Sequence, residues 1–360
     1  MHATPAGRAR PTTTTTRLAA VLVALLALLL GACGDDGGAA GASPTPAPAS
    51  SAASSGTGGE AQPTRAPDVK PFKLRIGVVS TTRTVSGPLG WGDEQGILLE
   101  HLAPLGVTDV ELLIFGTGPP LIAALQNGDV DMVSTGDVPA MAAAANGLSS
   151  RLIQFSAMRS DTWLIGQPDG PRDLAGLVGK VVTAPPGTSP ERFVRGLIAR
   201  AGLGDAIEIT NLATPDAVSA LRGGRADAIP VGGVQAARLQ REGYQVLARA
   251  RDIPELASTS TIVALEEFLD AHPGFVAAFG EAWSATVASI AADFDAYLDW
   301  YADVEEEPVE LIREVTYLDS YPTEPFPDEA VTSLEQTAQF LLDTGVIDAP
   351  FPVDDWIARD

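Results

Sequence analysis

One spaced pattern of residues occurs twice in this 360-residue chain and constrains its fold more than any other feature. The pattern Leu-x-x-Gly-x-x-Asp-x-x-x-x-Gly begins at Leu125 and begins again at Leu221. Each copy carries the signals of a helix end, a glycine turn, a short apolar strand and a glycine-containing loop. Solenoids and propellers repeat at much shorter periods and do not fit this spacing. The repetition therefore predicts two α/β lobes of similar architecture.

The first copy also suggests a place for a ligand. Residues 118–147 predict a helix, a turn at Asn127-Gly128, a strand over Val130 to Thr135, and a second helix with Asp137 as its N-cap. The free amides of that second helix would stand at the carboxyl end of a strand, where open α/β sheets bind anionic ligands. An ordinary αβα crossover without a ligand would give the same local pattern, and this alternative stays open.

A second pair of similar segments supports the two lobes. An apolar strand over Phe72 to Ser80 leads into a hydroxyl-rich loop, and another strand after Lys180 leads into Gly187-Thr188-Ser189. A predicted return strand at Ser258 to Ala264 makes the second lobe an insertion in the first, which suits hinge closure around a ligand. The other elements predicted at the lobe edges are a helix at 93–103, strands at 109–115, 151–158 and 162–166, and long helices at 274–292 and 328–344.

The N-terminus predicts an export signal rather than part of the fold. Arginines without acidic neighbours precede an unbroken run of Leu, Ala and Val from Leu18 to Leu30, which is short for a membrane span. The run ends in Leu-Gly-Ala-Cys, which resembles the lipobox of bacterial lipoproteins and places Cys33 as the lipidated residue. An ordinary secretion signal with a lone cysteine is the alternative. Residues 1–32 are thus a predicted signal peptide, and residues 33–70, rich in small residues and proline, a disordered tether.

Composition and motif content exclude several classes of function. A formal net charge of -23 argues against nucleic acid as a partner, because phosphates would be repelled. Cys33 is the only cysteine, and the three histidines are scattered at His2, His101 and His272. Metalloprotease, nucleophile-elbow and P-loop motifs are absent from the sequence. The sequence therefore predicts no catalytic residues, no metal site and no cofactor.

Several short motifs carry a resemblance to a known family. They are Gly118-Pro119-Pro120-Leu121, Asn127-Gly128-x-x-Asp131, Thr135-Gly136-Asp137-x-Pro139, Asp173-Leu174-x-Gly176, Gly187-Thr188-Ser189 and His272-Pro273. With these motifs, Phe72 to Asp360 resembles a solute-binding protein of bacterial ABC importers that has the type II periplasmic-binding-protein fold. The first and third motifs make it most similar to the nitrate/sulfonate/taurine branch.

The resemblance implies an α/β fold of two lobes with the ligand cleft between them. It divides the folded region into a first lobe at 71–166, an inserted second lobe at 167–256, and a return to the first lobe with C-terminal helices at 257–360. It also implies a monomer anchored by lipid to the outer face of the cytoplasmic membrane. Such a protein delivers a small organic anion, sulfonate- or taurine-like, to the membrane permease of an ABC importer.

Loops at the predicted strand ends supply the candidate ligand residues. Hydroxyls and backbone N–H groups hold an oxyanion well, and each hydroxyl has a local cap or turn bond as its alternative role. The predicted set is Ser80, Thr81, Thr82, Thr117, Gly118, Thr135, Gly136 and Asp137 from the first lobe, with Gly187, Thr188, Ser189, Gly232 and Gly233 from the second.

Four further side chains, and one difference from related sequences, leave the identity of the ligand undecided. Asp137 would repel an anion, so N-capping or contact with an amine is the alternative, and Arg83 could instead bring positive charge. Trp91 and Trp163 belong either to the cleft wall or to the core. Relatives often carry an aromatic or Trp-Asp-Pro element where this chain has Val231-Gly232-Gly233. Two glycines widen the pocket or let backbone amides approach the ligand.

Other ligands and other classes of function remain as alternatives. A protein of the same fold could bind nitrate, bicarbonate, an aromatic acid, or a pyrimidine or thiamine precursor. A different class would be an enzyme built on this fold, or a surface lipoprotein that contacts other proteins. The repeated lobes with facing hydroxyl loops favour a small-molecule cleft.

Overall fold

The computed structural model describes residues 70–80 and 84–359. The predicted signal peptide, the tether and the lipidation site at Cys33 lie outside these residues, as do Thr81, Thr82 and Arg83. The described chain is a mixed α/β structure built on two five-stranded sheets.

The two sheets have equivalent topologies: in each, three parallel strands are followed by one antiparallel crossing strand and an edge strand. The first runs β2-β1-β3-β10-β4 and the second β7-β6-β8-β5-β9. In the first sheet, β1 is parallel to β2 and β3, and β10 runs antiparallel to its neighbours β3 and β4. In the second sheet, β6 is parallel to β7 and β8, and β5 runs antiparallel to its neighbours β8 and β9. The strands of the first sheet are β1 (Phe72–Val79), β2 (Val107–Phe115), β3 (Met132–Gly136), β4 (Ser150–Ser160) and β10 (Ser258–Leu265), and those of the second are β5 (Thr162–Gly166), β6 (Val181–Ala184), β7 (Glu208–Asn211), β8 (Ala228–Gly232) and β9 (Gln245–Arg249).

The repeated sequence pattern has the same structural role in both sheets. Gly128 and Gly224 turn the chain with φ angles of 73° and 66°, a left-handed conformation that glycine adopts without strain. Asp131 accepts a hydrogen bond from the backbone N–H of Arg75 in β1 at 2.7 Å, and Asp227 does the same for Val181 in β6 at 2.8 Å. The two copies thus form β3 and β8, which occupy equivalent places.

One predicted lobe boundary is wrong. The strand Thr162–Gly166 was predicted in the first lobe, yet it pairs antiparallel with β8 and β9 in the second sheet. Only Asp161 separates β4 from β5, so the chain crosses between the sheets there rather than after residue 166. A short buried apolar strand carries no local sign of which sheet it joins.

Helices cover the faces of both sheets. They are α1 (Gly87–Glu94), α2 (Ile97–Leu102), α3 (Gly118–Gln126), α4 (Asp137–Ala145), α5 (Ser189–Arg200), α6 (Thr214–Arg222), α7 (Gly233–Arg241), α8 (Glu266–Ala271), α9 (Phe275–Ala292), α10 (Phe294–Glu305), α11 (Val309–Val315), α12 (Asp328–Asp343) and α13 (Val353–Trp356). The single helix predicted at 93–103 is two helices, because Gly96 takes a φ of 71° between them.

Four apolar clusters hold the helices to the sheets. α9 has the length and hydropathy of a membrane span. Its Phe279 and Trp283 are nevertheless buried against Leu74 and Ile76 of β1, as in a core helix. Helices α10 and α11, expected with the first lobe, pack their apolar side chains with the second-lobe strand β5 and helix α7. Trp163 and Trp91 belong to this core at 1% and 8% exposure, which resolves their two possible roles in favour of packing.

Candidate ligand-binding site

A cavity of ≈ 470 Å³ lies between the two sheets, at the edge where their parallel strands end. Its size falls in the range of small-molecule sites. Both crossing strands border the same edge, since Thr162 of β5 pairs with Gly232 and Ser260 of β10 pairs with Gly136. Nine of the predicted ligand residues line the cavity: Ser80, Thr117, Gly118, Thr135, Gly136, Thr188, Ser189, Gly232 and Gly233.

The remaining predicted residues are not on the described wall. Asp137 is fully buried beneath the cavity and Gly187 lies outside its lining. Thr81 and Thr82 are outside the described residues. Asp137 is also not the N-cap of α4: Gly136 holds that position, and Asp137 is the first helical residue. The glycine ends β3 in an extended conformation, which moves the helix start by one residue.

Several helices begin at the cavity wall. Gly118, Gly136 and Gly233 stand at the starts of α3, α4 and α7, and none of the three N-cap residues makes a side-chain cap bond. The first turns of α3 and α4 offer fewer free N–H groups than that of α7, because Pro119, Pro120 and Pro139 have none and the Val138 N–H donates to Asp137 Oδ1. Each helix is nine residues long, enough to carry a macrodipole with its positive end at the cavity. The positive ends of three helix dipoles, with the uncapped first-turn N–H groups of α7, favour an anion at this wall.

Two buried polar groups on this wall lack a hydrogen-bond partner. Thr135 is 3% exposed and its Oγ1 is unpartnered, and the Nε2 amide of Gln235 is likewise buried and unpartnered. Burying a polar group without a partner is costly unless a ligand supplies one. Thr135 was predicted from the strand-end loop. Gln235 was missed, although it stands at the position of the repeat that Pro139 occupies in the first copy.

Three of the predicted hydroxyls already donate to protein oxygens. Ser80 Oγ donates to the carbonyl of Thr84 at 3.0 Å and Thr188 Oγ1 to that of Pro185 at 2.6 Å. Ser189 Oγ donates to Asp137 Oδ1 at 2.6 Å. Thr188 also accepts from the N–H of Glu191 and so caps α5. For Ser80 and Thr188, the alternative of local turn and cap bonds therefore holds.

The wall also includes residues from α10 that the sequence patterns did not indicate. Tyr301 and Glu305 line the cavity, together with Ser86, Thr214 and Ser260. Burial raises the pKa of the Tyr301 hydroxyl, so this group keeps its proton at neutral pH. Among the described lining residues, Glu305 is the one charged side chain, at 8% exposure. Amides, hydroxyls and one carboxylate therefore face the cavity.

No group of three or more His, Cys, Asp or Glu side chains is placed to hold a metal ion within residues 70–80 and 84–359.

Comparisons with known proteins agree with this architecture. A protein of Bacillus subtilis (strain 168), provisionally named an aliphatic sulfonates-binding protein, is 24% identical over 79% of this chain and 85% of its own length. The alkanesulfonate-binding protein SsuA from Xanthomonas axonopodis pv. citri, solved with MOPS bound, superposes with a TM-score of 0.70 at 20% identity, covering 81% of this chain and 100% of that one. The periplasmic aliphatic sulphonate binding protein SsuA from Escherichia coli gives a TM-score of 0.65 at 21% identity, covering 80% and 98%.

The same fold also occurs in an enzyme. The desulfurization enzyme DSZB superposes with a TM-score of 0.60 at 15% identity, covering 79% of this chain and 96% of that one. The fold therefore leaves open whether a member binds or converts its ligand.

A family model described as NMT1/THI5 like matches residues 97–296, more than half of the chain. The match runs from α2 to the first residues of α10 and so includes the whole second sheet and most of the cavity wall. The fold predicted from the motifs, a two-lobed periplasmic-binding-protein architecture with an inserted second lobe, is confirmed by these superpositions. The chain belongs to the NMT1/THI5-like family.

Proposed function

We propose that this protein is the solute-binding component of an ABC importer and that its ligand is a small organic sulfonate. The observation that carries the proposal is the convergence of three helix N-termini with the unpartnered Thr135 Oγ1 and Gln235 Nε2 in one cavity between the lobes. A sulfonate presents several acceptor oxygens and one delocalised charge, which the neutral donors of the wall can meet when the sulfonate group lies away from the Glu305 carboxylate. The names of the relatives support the same ligand class.

The cavity volume favours an organic sulfonate over the small inorganic alternatives. Nitrate and bicarbonate are only a few atoms in size and would leave most of ≈ 470 Å³ unfilled. Space that a ligand leaves open forfeits dispersion contacts with the wall. Gly232 and Gly233 line the cavity without a side chain to fill it. Aromatic acids and pyrimidine precursors fit by size but lack the three-oxygen head.

Binding rather than turnover is the proposed activity. The described lining residues include neither Cys nor His, the nucleophiles and bases that hydrolytic sites on many folds use. The similar proteins from B. subtilis, X. axonopodis and E. coli are all named as binding proteins. The proposal also includes lipid anchoring at Cys33 and an extracytoplasmic location, which rest on the lipobox-like tetrad. Delivery to a permease and a monomeric state rest on the family resemblance.

Ligand titration of the mature protein tests the proposal. Isothermal calorimetry with MOPS, butane-1-sulfonate and taurine should give saturable binding, and nitrate and bicarbonate should bind more weakly. A ligand present at a hundred times its Kd stabilises the fold by about 2.7 kcal/mol, so thermal unfolding gives an independent readout. Unchanged melting temperatures with all sulfonates, or product formation from any of them, would contradict the proposal.

A further inference from the structure

The carboxylate of Asp137 is fully buried at the seam between the lobes, and four donors surround it. Its oxygens accept hydrogen bonds from Val138 N at 2.8 Å, Thr337 Oγ1 at 2.8 Å, Thr259 N at 3.4 Å and Ser189 Oγ at 2.6 Å. No cation pairs with this carboxylate among the described residues; the donors are all neutral. A buried carboxylate needs such donors, because burying a polar group without hydrogen-bond partners is costly.

The four donors divide unequally between the lobes. Val138, Thr259 and Thr337 belong to α4, β10 and α12, elements that pack on the first sheet. Ser189 begins α5, which packs on the second sheet. Asp137 is therefore held in place by the first lobe, and one donor reaches it from the second.

Helix α5 is fixed to the second lobe by a neighbour of Ser189. Arg192 lies one turn further along the helix, is 3% exposed, and donates to the carbonyls of Ala257 and Glu255 at 3.3 and 3.4 Å. Ala257 is part of the second-lobe core. These bonds hold α5 to the crossing segment before β10, whose Ala257 carbonyl also accepts a hydrogen bond from Ser333 of α12. The apolar side chains of α5 pack in the second-lobe core, so we expect Ser189 to move with the second lobe when the lobes rotate. Opening the cleft would separate Ser189 from Asp137 and leave the other three donors in place.

We propose that the Asp137–Ser189 hydrogen bond is an interlobe clasp: Asp137 is a positioning residue that stabilises the closed cleft without touching the ligand. The inference rests on the proposed function in one respect, that ligand binding closes the two lobes. A hydrogen bond to an ionised acceptor is among the stronger ones in proteins. Ser189 donates its single proton to Asp137, so it presents only lone pairs to the cavity and does not donate to a bound oxyanion.

Two single variants separate the clasp from general stabilisation of Asp137. Ser189→Ala removes the donor of the second lobe. Thr337→Val removes, with little change in shape, a first-lobe hydroxyl that lies 2.8 Å from Asp137 Oδ2 and 3.1 Å from the carbonyl of Ser333. We expect Ser189→Ala to weaken binding of MOPS about tenfold. Thr337→Val is expected to lower the melting temperature but to leave the Kd for MOPS within about twofold, since it acts in both open and closed forms.

A double-mutant cycle distinguishes the clasp from direct ligand contact by Ser189. In the Asp137→Asn background the charged acceptor is gone, so Ser189→Ala should then weaken MOPS binding by less than about threefold. If Ser189 donated to the ligand itself, the tenfold loss would persist in that background. Small-angle scattering of the ligand-free protein gives a readout without MOPS: Ser189→Ala should increase the radius of gyration, and Thr337→Val should not.

The outcomes separate the clasp from the proposed function. Absence of MOPS binding by the wild-type protein would count against a sulfonate ligand, while the scattering comparison would still test the clasp. Equal radii of gyration for wild type and Ser189→Ala, or a tenfold loss that persists with Asp137→Asn, would overturn the clasp.

Discussion

A hydroxyl group has a single proton, and in this cavity its direction decides what each side chain can do for a ligand. Thr188 and Ser189 both line the wall, but their protons go to the carbonyl of Pro185 and to Asp137. Thr135 Oγ1 has no such acceptor, although Thr135 is more deeply buried than Thr188 or Ser189. Three hydroxyl residues predicted for the same reason therefore have three different roles: Thr188 caps a helix, Ser189 forms the clasp, and Thr135 is a candidate ligand donor.

The unpartnered hydroxyl of Thr135 gives the first prediction. Thr135→Val keeps the shape and removes the donor, so we expect MOPS binding to weaken about tenfold, the loss of roughly one hydrogen bond to a charged group. The melting temperature should stay close to that of wild type, because no protein–protein hydrogen bond is lost. Calorimetric titration and thermal unfolding measure the two quantities.

A second threonine provides the control for that variant. Thr183 is 2% exposed, its Oγ1 is also unpartnered, and it does not line the cavity. Thr183→Val should therefore leave MOPS affinity unchanged. If the two valine variants lowered affinity equally, Thr135 would be no ligand donor.

Close approach of the lobes at Gly136 gives the second prediction. A Cβ at this position would lie 2.5 Å from Ser189 Oγ, so Gly136→Ala must displace that hydroxyl. The backbone of Gly136, at φ -62° and ψ 158°, is one that alanine adopts freely, so strain in the chain is not the cause. We expect MOPS affinity to fall about tenfold, in line with loss of the clasp.

Gly116 is the matched control for Gly136. It also lines the cavity, and a Cβ there would meet nothing within 4 Å. Gly116→Ala should leave the radius of gyration of the ligand-free protein unchanged, because the added Cβ meets no protein atom, whereas Gly136→Ala should increase it as the clasp is lost. Equal radii for both variants and wild type would show that Gly136→Ala does not act through the clasp.

At the scale of elements, the crossing between β4 and β5 is built around Asp161. Its carboxylate accepts hydrogen bonds from Arg249 and from Trp163 Nε1, the latter at 2.7 Å, and also from the N–H of Arg251 at 3.2 Å. The guanidinium of Arg249 in turn lies 4.2 Å from the centre of the Trp163 ring. The Asp161 carboxylate, between β4 and β5, therefore binds Arg249 and Arg251, which lie in the segment that leads back to the first sheet at β10.

The third prediction concerns this carboxylate. The Asp161 side chain is 6% exposed and Arg249 is 30% exposed, so the pair is partly screened by solvent. We expect Asp161→Asn to reduce the free energy of unfolding by about 2 kcal/mol, below the range for a fully buried pair. Urea denaturation measures the change.

A surface ion pair serves as the comparison for Asp161. Asp295 pairs with Arg313 and is 79% exposed, so Asp295→Asn should alter stability by no more than about 0.5 kcal/mol. Equal effects from the two substitutions would show that the crossing contributes no more to stability than an exposed pair.

At the scale of the whole molecule, local patterns predicted much of the architecture and part of the site. The repeat located β3 and β8 because its turn glycine and its aspartate act within their own segment. The clasp could not be predicted in this way, since its two residues, Asp137 and Ser189, are 52 residues apart in sequence and on different lobes. Tyr301 and Glu305 reach the cavity through the packing of α10 on the second lobe, which no periodicity of that helix specifies.

The same limit explains the misassigned strand. Thr162–Gly166 is buried on all sides, and its residues are equally compatible with either sheet. Its place is decided by pairing with β8, whose partner register begins at Gly232. The equivalent strand of the first sheet is β10, which pairs with Gly136 in the same way. Each crossing strand is placed by pairing with the equivalent strand of its sheet, β3 or β8, and its own composition does not specify this position.

The last prediction concerns the anchoring of the whole molecule through Cys33. If this residue is lipidated, Cys33→Ser should move the protein from the membrane fraction to the soluble fraction of the producing cell. The reason is that a tether poor in large apolar residues binds a bilayer weakly on its own, whereas each buried methylene of an acyl chain contributes about 0.8 kcal/mol. Immunoblotting of separated fractions measures the distribution.

A Cys33→Ser variant that also carries Ser50→Cys restores a thiol outside the Leu-Gly-Ala-Cys tetrad, and it should remain soluble. Membrane retention of the single variant would instead indicate that the uncleaved apolar segment holds the protein, the behaviour expected if residues 18–30 act as an anchor rather than as a signal.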